Sequence, residues 1–269
     1  MSYKLLVTDF DGTLFSWKNG GIHKENLDAI ATARASGKYV VVCTGRSWKS
    51  MTKFEKELGC DINGSFGIAF NGGAVYTQTN GEKEFLYSKT MTATFAHELI
   101  KKLKNIKSPE LEIYVYDDKG DLYAEEHLRG KNVLGEDGNL RLGFVDDFES
   151  ITCGFSKVLL LGDFEKLKNA AGLTSEYFSV FSGHDLLEFL PPDVNKGNGV
   201  AFLANHLNIK SEEIITIGDA GNDTAMLKYA GLGVAVKNAT EEAKAAADLV
   251  LDKTCNDSAV AYVINTYLI

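Results

Sequence analysis

Apolar, β-branched runs alternate with helical stretches at both ends of this 269-residue chain. That alternation predicts an α/β fold, an open parallel sheet with helices on both faces, and a separate α+β lobe inserted in it. Three observations carry the prediction. Residues 4–8, 24–37 and 38–46 read as strand, helix and strand, a βαβ unit whose strands are parallel. Residues 198–252 repeat the alternation, and the intervening stretch has a mixed texture of helices and hairpins.

In chain order, 5-LLVT-8 is an apolar strand. Leu27, Ile30, Ala31 and Ala35 recur at helical spacing before Gly37, which suits a helix end. The run 38-KYVVVCTGR-46 is continuous enough for a strand covered on both faces. A helix over 92–105 carries Phe95, Leu99, Leu103 and Ile106 on one side. Residues 111–118 and 121–127 suggest a hairpin around Lys119–Gly120, and 156–163 another strand. A short helix near 164–171 and strands within 177–190 follow, while 128–155 shows weak periodicity. Helix 198–207, strand 213–219, helix 224–231, strand 232–236, helix 239–247 and the run 248–252 complete the chain. With limits read near Gly81 and Pro191–Pro192, the expected division is core 1–83, α+β lobe 84–189 and core 190–269.

The formal charge of −9 argues against a general nucleic-acid or anionic-membrane surface, since both need clustered Lys and Arg. No apolar run approaches membrane-spanning length. The first strand begins within a few residues of Met1, so no signal peptide is expected. Cys43, Cys60, Cys153 and Cys255 are scattered without metal-ligand spacing, as free thiols in a reducing cytoplasm would be.

Three predicted parallel strands end on polar clusters: Asp9 and Asp11, then Thr44–Gly45–Arg46, then Asp219. In open α/β sheets, sites form beyond the carboxyl ends of the strands. Asp9 and Asp11, two residues apart, lie on one face. Unit charges 4 Å apart repel by roughly 4 kcal/mol at an effective dielectric near 20. Gathering Asp9, Asp11, Asp219 and Asp223 at one edge therefore calls for a cation. Oxygen-only ligands point to a hard ion, best magnesium, which leaves positions for water and phosphate. Thr44 supplies a hydroxyl, Gly45 allows close backbone approach, and Lys196 offers a charge beside Gly197 at a helix start, where an anion is favoured. Carboxylate, metal and phosphate cradle together suggest phosphoryl transfer to an aspartate.

Taken singly, each residue has an ordinary explanation. Asp11–Gly12 is also a turn signal, Asp223 also an N-cap, and Lys196–Gly197 also a solvated loop. The ordered set is what points to a site.

That set, 9-DFDGT-13, 43-CTGR-46, 195-NKGNGV-200 and 218-GDAGND-223, resembles the four motifs of the haloacid dehalogenase superfamily of phosphatases. The insert between the second and third motifs, with 70-FNGGAVY-76 and 231-GLGVAVKNATEEAKAAAD-248, resembles its Cof-type branch, whose Rossmann-like core carries an α+β cap. The resemblance implies a magnesium-dependent phosphatase. Asp9 would be nucleophile and metal ligand. Asp11 would be general acid and base, with its main-chain carbonyl on the metal. Thr44 and Lys196 would hold phosphoryl oxygens, Asp219 would ligate the metal, and Asp223 would ligate or orient its shell. Asn222 would contact phosphate or that shell, and Arg46 and Asn71 would face the substrate. Substrate choice would lie in the cap, with His184, Asp185 and the Tyr114–Asp118 hairpin as contacts. The implied partner is a small phosphorylated metabolite, a sugar phosphate or similar; a monomer or small homo-oligomer is expected. A phosphomutase and a catalytically silent ligand sensor are the alternatives, and the intact set Asp9, Asp11, Thr44, Lys196, Asp219 speaks against the sensor.

Overall fold

The computed structural model describes residues 2–106, 108, 110–129, 142–182 and 185–269. The chain forms two compact units, one of Met1–Arg46, Phe54–Ser88 and Asn195–Ile269, the other of Ser47–Lys53 and Lys89–Val194.

The first unit is built on the strand Leu5–Thr8, wholly buried because it is central in the sheet and helices cover both faces. The eight-stranded sheet runs in the order Leu249–Val250, Leu232–Ala235, Ile214–Gly218, Leu5–Thr8, Tyr39–Cys43, Phe66–Ala69, Ala74–Thr79, Glu82–Ser88. The first six strands are parallel, and the last two add an antiparallel hairpin. Leu5, Val7, Val41, Cys43 and Ile68 form one apolar face with Val200, Leu203 and Ala204 of the helix Lys196–His206. Leu6, Val40 and Val42 alternate to the other face, where the helix Lys24–Ala35 packs with Ala259–Val263.

The final hairpin is where the structure departs most from the sequence reading. Gly81 is no domain limit; with Asn80 it forms the turn between Ala74–Thr79 and Glu82–Ser88. Both residues have positive φ, 54° and 82°, which the Asn-Gly pair accommodates in a tight two-residue turn. Glu82–Ser88 pairs with this sheet, so the second unit starts at Lys89. The helix Trp48–Leu58 was also not anticipated.

The second unit is a six-stranded sheet in the order Leu142–Val145, Leu122–Glu125, Glu112–Asp117, Phe155–Leu161, Leu186–Phe189, Ser179–Phe181. All its pairs are antiparallel except Leu142–Val145 with Leu122–Glu125. The helices Ala93–Asn105 and Phe164–Leu173 cover one face, burying Leu99, Leu103, Leu167 and Ala170 against Ile113, Val115, Val158, Leu160 and Phe189. The buried stripe of the first helix is Ala96, Leu99, Ile100, Leu103, with Phe95 and Ile106 at its margin. Lys157 and Glu188 pair at 2.7 Å in this unit, their side chains 5% and 3% exposed. Among the described residues, no helix is long and apolar enough to cross a membrane.

Candidate functional site

The parallel strands Leu5–Thr8, Tyr39–Cys43 and Ile214–Gly218 are adjacent, so their carboxyl ends deliver Asp9, Thr44 and Asp219 to one edge of the first unit. Asp9 N donates to Ile217 O at 2.9 Å, and Thr44 N donates to Ile68 O at 2.9 Å. These bonds continue the ladder and fix both residues at the ends of their strands. Gly12, at φ +79°, brings the following loop against Asp219; a Cβ there would lie 2.6 Å from Asp219 Oδ2. A Cβ on Gly218 would lie 2.5 Å from Asp223 Cγ, so that carboxylate also sits where a side chain cannot.

Lys196 opens the helix Lys196–His206, capped by Asn195, whose Oδ1 accepts from Asn198 N at 2.9 Å. The Lys196 side chain is 1% exposed, and its ammonium donates to Asp9 Oδ1 at 2.5 Å and to Asp223 Oδ1 at 2.6 Å. Asp223 Oδ2 accepts from the backbone N–H groups of Asp219 and Ala220, both at 2.9 Å. Both oxygens of Asp223 are thus engaged, one by Lys196 and one by the loop that carries Asp219. Thr13 Oγ1 donates to Asp219 Oδ1 at 2.7 Å. The sequence reading assigned Thr13 no role, although it closes the quoted DFDGT motif.

Carboxylate oxygens of Asp9, Asp219 and Asp223 all lie within 4.8 Å of one another. Burial pushes the Asp9 carboxyl well above the ordinary carboxylate range; Lys196 opposes the rise, and Asp223 and Asp219 add to it. Asp219 is pushed up to about 6, chiefly by burial and then by Asp223, against the Thr13 hydrogen bond and Lys196. Burial disfavours the Lys196 charge, yet Asp223 and Asp9 outweigh it and hold the ammonium well above its usual range. Three carboxylates and one ammonium carry a formal −2, the charge a divalent cation offsets. The Asp9 and Asp219 carboxylates thus approach each other closely. Two buried anions sustain that approach only with a proton or a cation between them. The donor set, all oxygen, suits a hard ion.

The other predicted residues are distributed around this cluster. Thr44 is buried and its hydroxyl accepts from Arg46 N at 3.1 Å. Gly45 follows in the same bend. Asn71 N donates to Thr44 O at 2.9 Å, and Asn222 Nδ2 donates to Asn71 Oδ1 at 3.0 Å, joining two loops. Asn71 holds a left-handed backbone, φ 54° and ψ 34°, a conformation Asn tolerates better than most residues. Asp11 does not join the carboxylate group. Arg46 grips it from both sides, Nε to Oδ2 at 2.7 Å and the second guanidinium nitrogen to Oδ1 at 2.8 Å. The arginine expected to meet substrate is thus bound to Asp11. Cys43 is a buried neighbour of the cluster, and desolvation pushes its thiol well above the usual range.

In the second unit, His184 lies outside the described residues. The main-chain carbonyl of Asp185 accepts from Gly162 N at 3.1 Å. The Tyr114 hydroxyl donates to Glu112 Oε2 at 3.0 Å, and Asp117 closes the hairpin turn by accepting from the N–H groups of Lys119 and Asp121.

The chain is similar to known proteins along nearly its whole length. The family described as haloacid dehalogenase-like hydrolase matches residues 6–264. A 5-amino-6-(5-phospho-D-ribitylamino)uracil phosphatase of Bacillus subtilis is 29% identical, the alignment covering 98% of each chain. An HMP-PP phosphatase of Serratia proteamaculans is 28% identical over 99% of this chain and 96% of its own. The crystal structure of a haloacid dehalogenase-like hydrolase from Bacteroides thetaiotaomicron superposes with a TM-score of 0.83 at 26% identity, covering 98% of this chain and 99% of that one.

Proposed function

The chain belongs to the haloacid dehalogenase-like hydrolase family, and from that premise we propose that it is a magnesium-dependent phosphatase hydrolysing small phosphomonoesters through an aspartyl-phosphate on Asp9. The observation that carries this reading is the buried Asp9–Lys196–Asp223 array with Asp219 alongside, all at the carboxyl edge of the parallel sheet.

An Asp9 carboxylate oxygen attacks phosphorus in line, and the bond from phosphorus to the ester oxygen breaks. Asp11 delivers the proton that lets the alcohol leave. It then takes a proton from the water that attacks phosphorus, releasing inorganic phosphate and restoring the Asp9 carboxylate. Lys196 and Thr44 hold phosphoryl oxygens, stabilising charge that spreads over them in the transition state. Asp9, Asp219 and the Asp11 carbonyl are the proposed metal ligands. Asp223, with both oxygens engaged, orients Lys196 and the Asp219 loop. Asn71 and Asn222 hold the loops on the substrate side. Magnesium, when bound, supplies the positive charge that an oxygen-only, net anionic cluster lacks.

The second unit is assigned substrate selection. The relatives named above are phosphatases of a phosphorylated ribitylaminouracil and of HMP-PP, which supports a small phosphorylated metabolite, such as a sugar phosphate, as the proposed substrate class. The test is phosphate release from a panel of sugar phosphates, pyridoxal phosphate, flavin mononucleotide and an aryl phosphate, with magnesium and with excess chelator. Magnesium-dependent release that Asp9→Asn abolishes without altering the melting curve is expected. Substantial metal-dependent turnover by Asp9→Asn would sink the assignment.

A further inference from the structure

We infer that Arg46 is the positioning residue for Asp11, itself held in place by an aromatic cage of Phe10, Trp17 and Phe54. This rests on the phosphatase reading above, in which Asp11 moves the proton.

Arg46 meets Asp11 through a two-pronged contact, 2.7 Å and 2.8 Å. A planar fork on a carboxylate fixes its plane as well as its distance, which a single ammonium cannot do. The guanidinium carbon lies 5.2 Å, 5.5 Å and 5.6 Å from the ring centroids of Phe10, Trp17 and Phe54. Each ring attracts the cation through its face. The cage is packed in its own right, with Phe10 and Phe54 centroids 4.7 Å apart and Phe15 against both at 5.3 Å and 5.5 Å. Phe10 stands between Asp9 and Asp11 in the chain, so the cage is anchored on the backbone that carries the reacting groups. The Arg46 main chain is tied at both ends, its N–H to Thr44 Oγ1 at 3.1 Å and its carbonyl to Phe70 N at 3.0 Å.

Both Asp11 oxygens accept from the guanidinium in this arrangement, so the carboxyl group meets a leaving oxygen in a plane that Arg46 sets. Arg46 therefore defines the position of Asp11 and the orientation in which it acts. Displacements of about 1 Å at such a group can cost 10²-fold in rate. A substrate-binding arginine would have its guanidinium turned to the ligand, whereas this one is committed to Asp11.

Leaving groups separate the two roles. The ratio kcat/KM reports steps up to release of the alcohol. An alkyl leaving group needs the proton from Asp11, and p-nitrophenolate scarcely does. Arg46→Met is expected to lower kcat/KM for the fastest sugar phosphate of the panel by about tenfold or more, and for p-nitrophenyl phosphate by less than about threefold. Asp11→Asn should show the same asymmetry, and Arg46→Met added to Asp11→Asn should cost nothing further, because the two residues act as one unit. Equal losses on both substrates, or a further loss in the Asp11→Asn background, would show that Arg46 meets substrate itself and overturn the proposal. Where Arg46→Met does not fold, Trp17→Ala removes the exposed ring of the cage, 68% accessible, and should give the same asymmetry in weaker form; a symmetric loss overturns it equally. Were Asp11→Asn itself indifferent to the leaving group, the proton-transfer role of Asp11 would fall, a separate failure from that of Arg46.

Discussion

Replacing Lys196 by Met removes a cation that touches two buried carboxylates while keeping the length of the side chain. The native ammonium is 2.5 Å from Asp9 and 2.6 Å from Asp223, its side chain 1% exposed. Each ion contact in such surroundings is worth several kcal/mol before desolvation is counted. Breaking a buried pair by deleting one partner costs about 3–5 kcal/mol net, because the other charge stays buried. For a protein of this size that corresponds to a fall in Tm of roughly 6–20 °C. The loss should depend on pH. Asp9 and Asp219 both sit above their ordinary range through burial, so protonation favours the folded state, a contribution that is full at low pH and lost as pH rises through their folded pKa values. The deficit of Lys196→Met should therefore be smaller at pH 5 than at pH 8. Magnesium should recover part of it by restoring positive charge. Calorimetry in chelator across that interval is the assay, with phosphate release beside it. A Tm within 2 °C of the native protein at pH 8 in chelator would refute the view that Lys196 compensates buried charge.

The metal and the second unit supply two further tests. Asp219, pushed up to about 6, holds a proton that competes with the cation. Apparent magnesium affinity should be about tenfold weaker at pH 5 than at pH 7.5, measured as the magnesium-induced Tm shift; equal shifts at both pH values would remove Asp219 from the ligand set. In the second unit, Lys157→Met takes the lysine from the buried Glu188 carboxylate, to which Ser182 also donates at 2.5 Å. A loss of about 3–5 kcal/mol is expected, read from denaturant unfolding, and a loss under 1 kcal/mol would mean that water reaches the pair.

The parts of the site that were legible in the sequence are those fixed by local geometry. A strand that ends on Asp9, or a helix that starts at Lys196, declares its polar residue by position, and parallel pairing brings those ends together. The pairing of Arg46 with Asp11 was not legible, because it spans 35 residues and turns on which way a long side chain swings. The role of Thr13 was available from its motif but not from its chemistry, since a hydroxyl beside an aspartate is common in any turn. In the fold, the Asn80–Gly81 turn carried the strongest short-range hairpin signal and was read instead as a boundary. The strand Glu82–Ser88 is largely exposed or half-buried at the sheet edge, so it lacks the apolar alternation that announces a strand. Leu142–Val145, a half-buried edge strand, is hidden for the same reason.

The charge arithmetic of the cluster sets an order on its ligands. With Asp9, Asp219 and Asp223 ionised and one ammonium among them, the edge of the sheet is net anionic and would repel a phosphate dianion. The amide dipoles at the start of helix Lys196–His206 attract an anion, but at about 1 kcal/mol they do not outweigh a formal −2. In the proposed mechanism a divalent cation would bring the cluster to neutrality, and only then would Lys196, the helix start and the Thr44 hydroxyl act on a phosphoryl group without opposition. In that mechanism, affinity for the anion is therefore conditional on the cation, as burial and the neighbouring carboxylates, which raise Asp9 and Asp219, would lead one to expect.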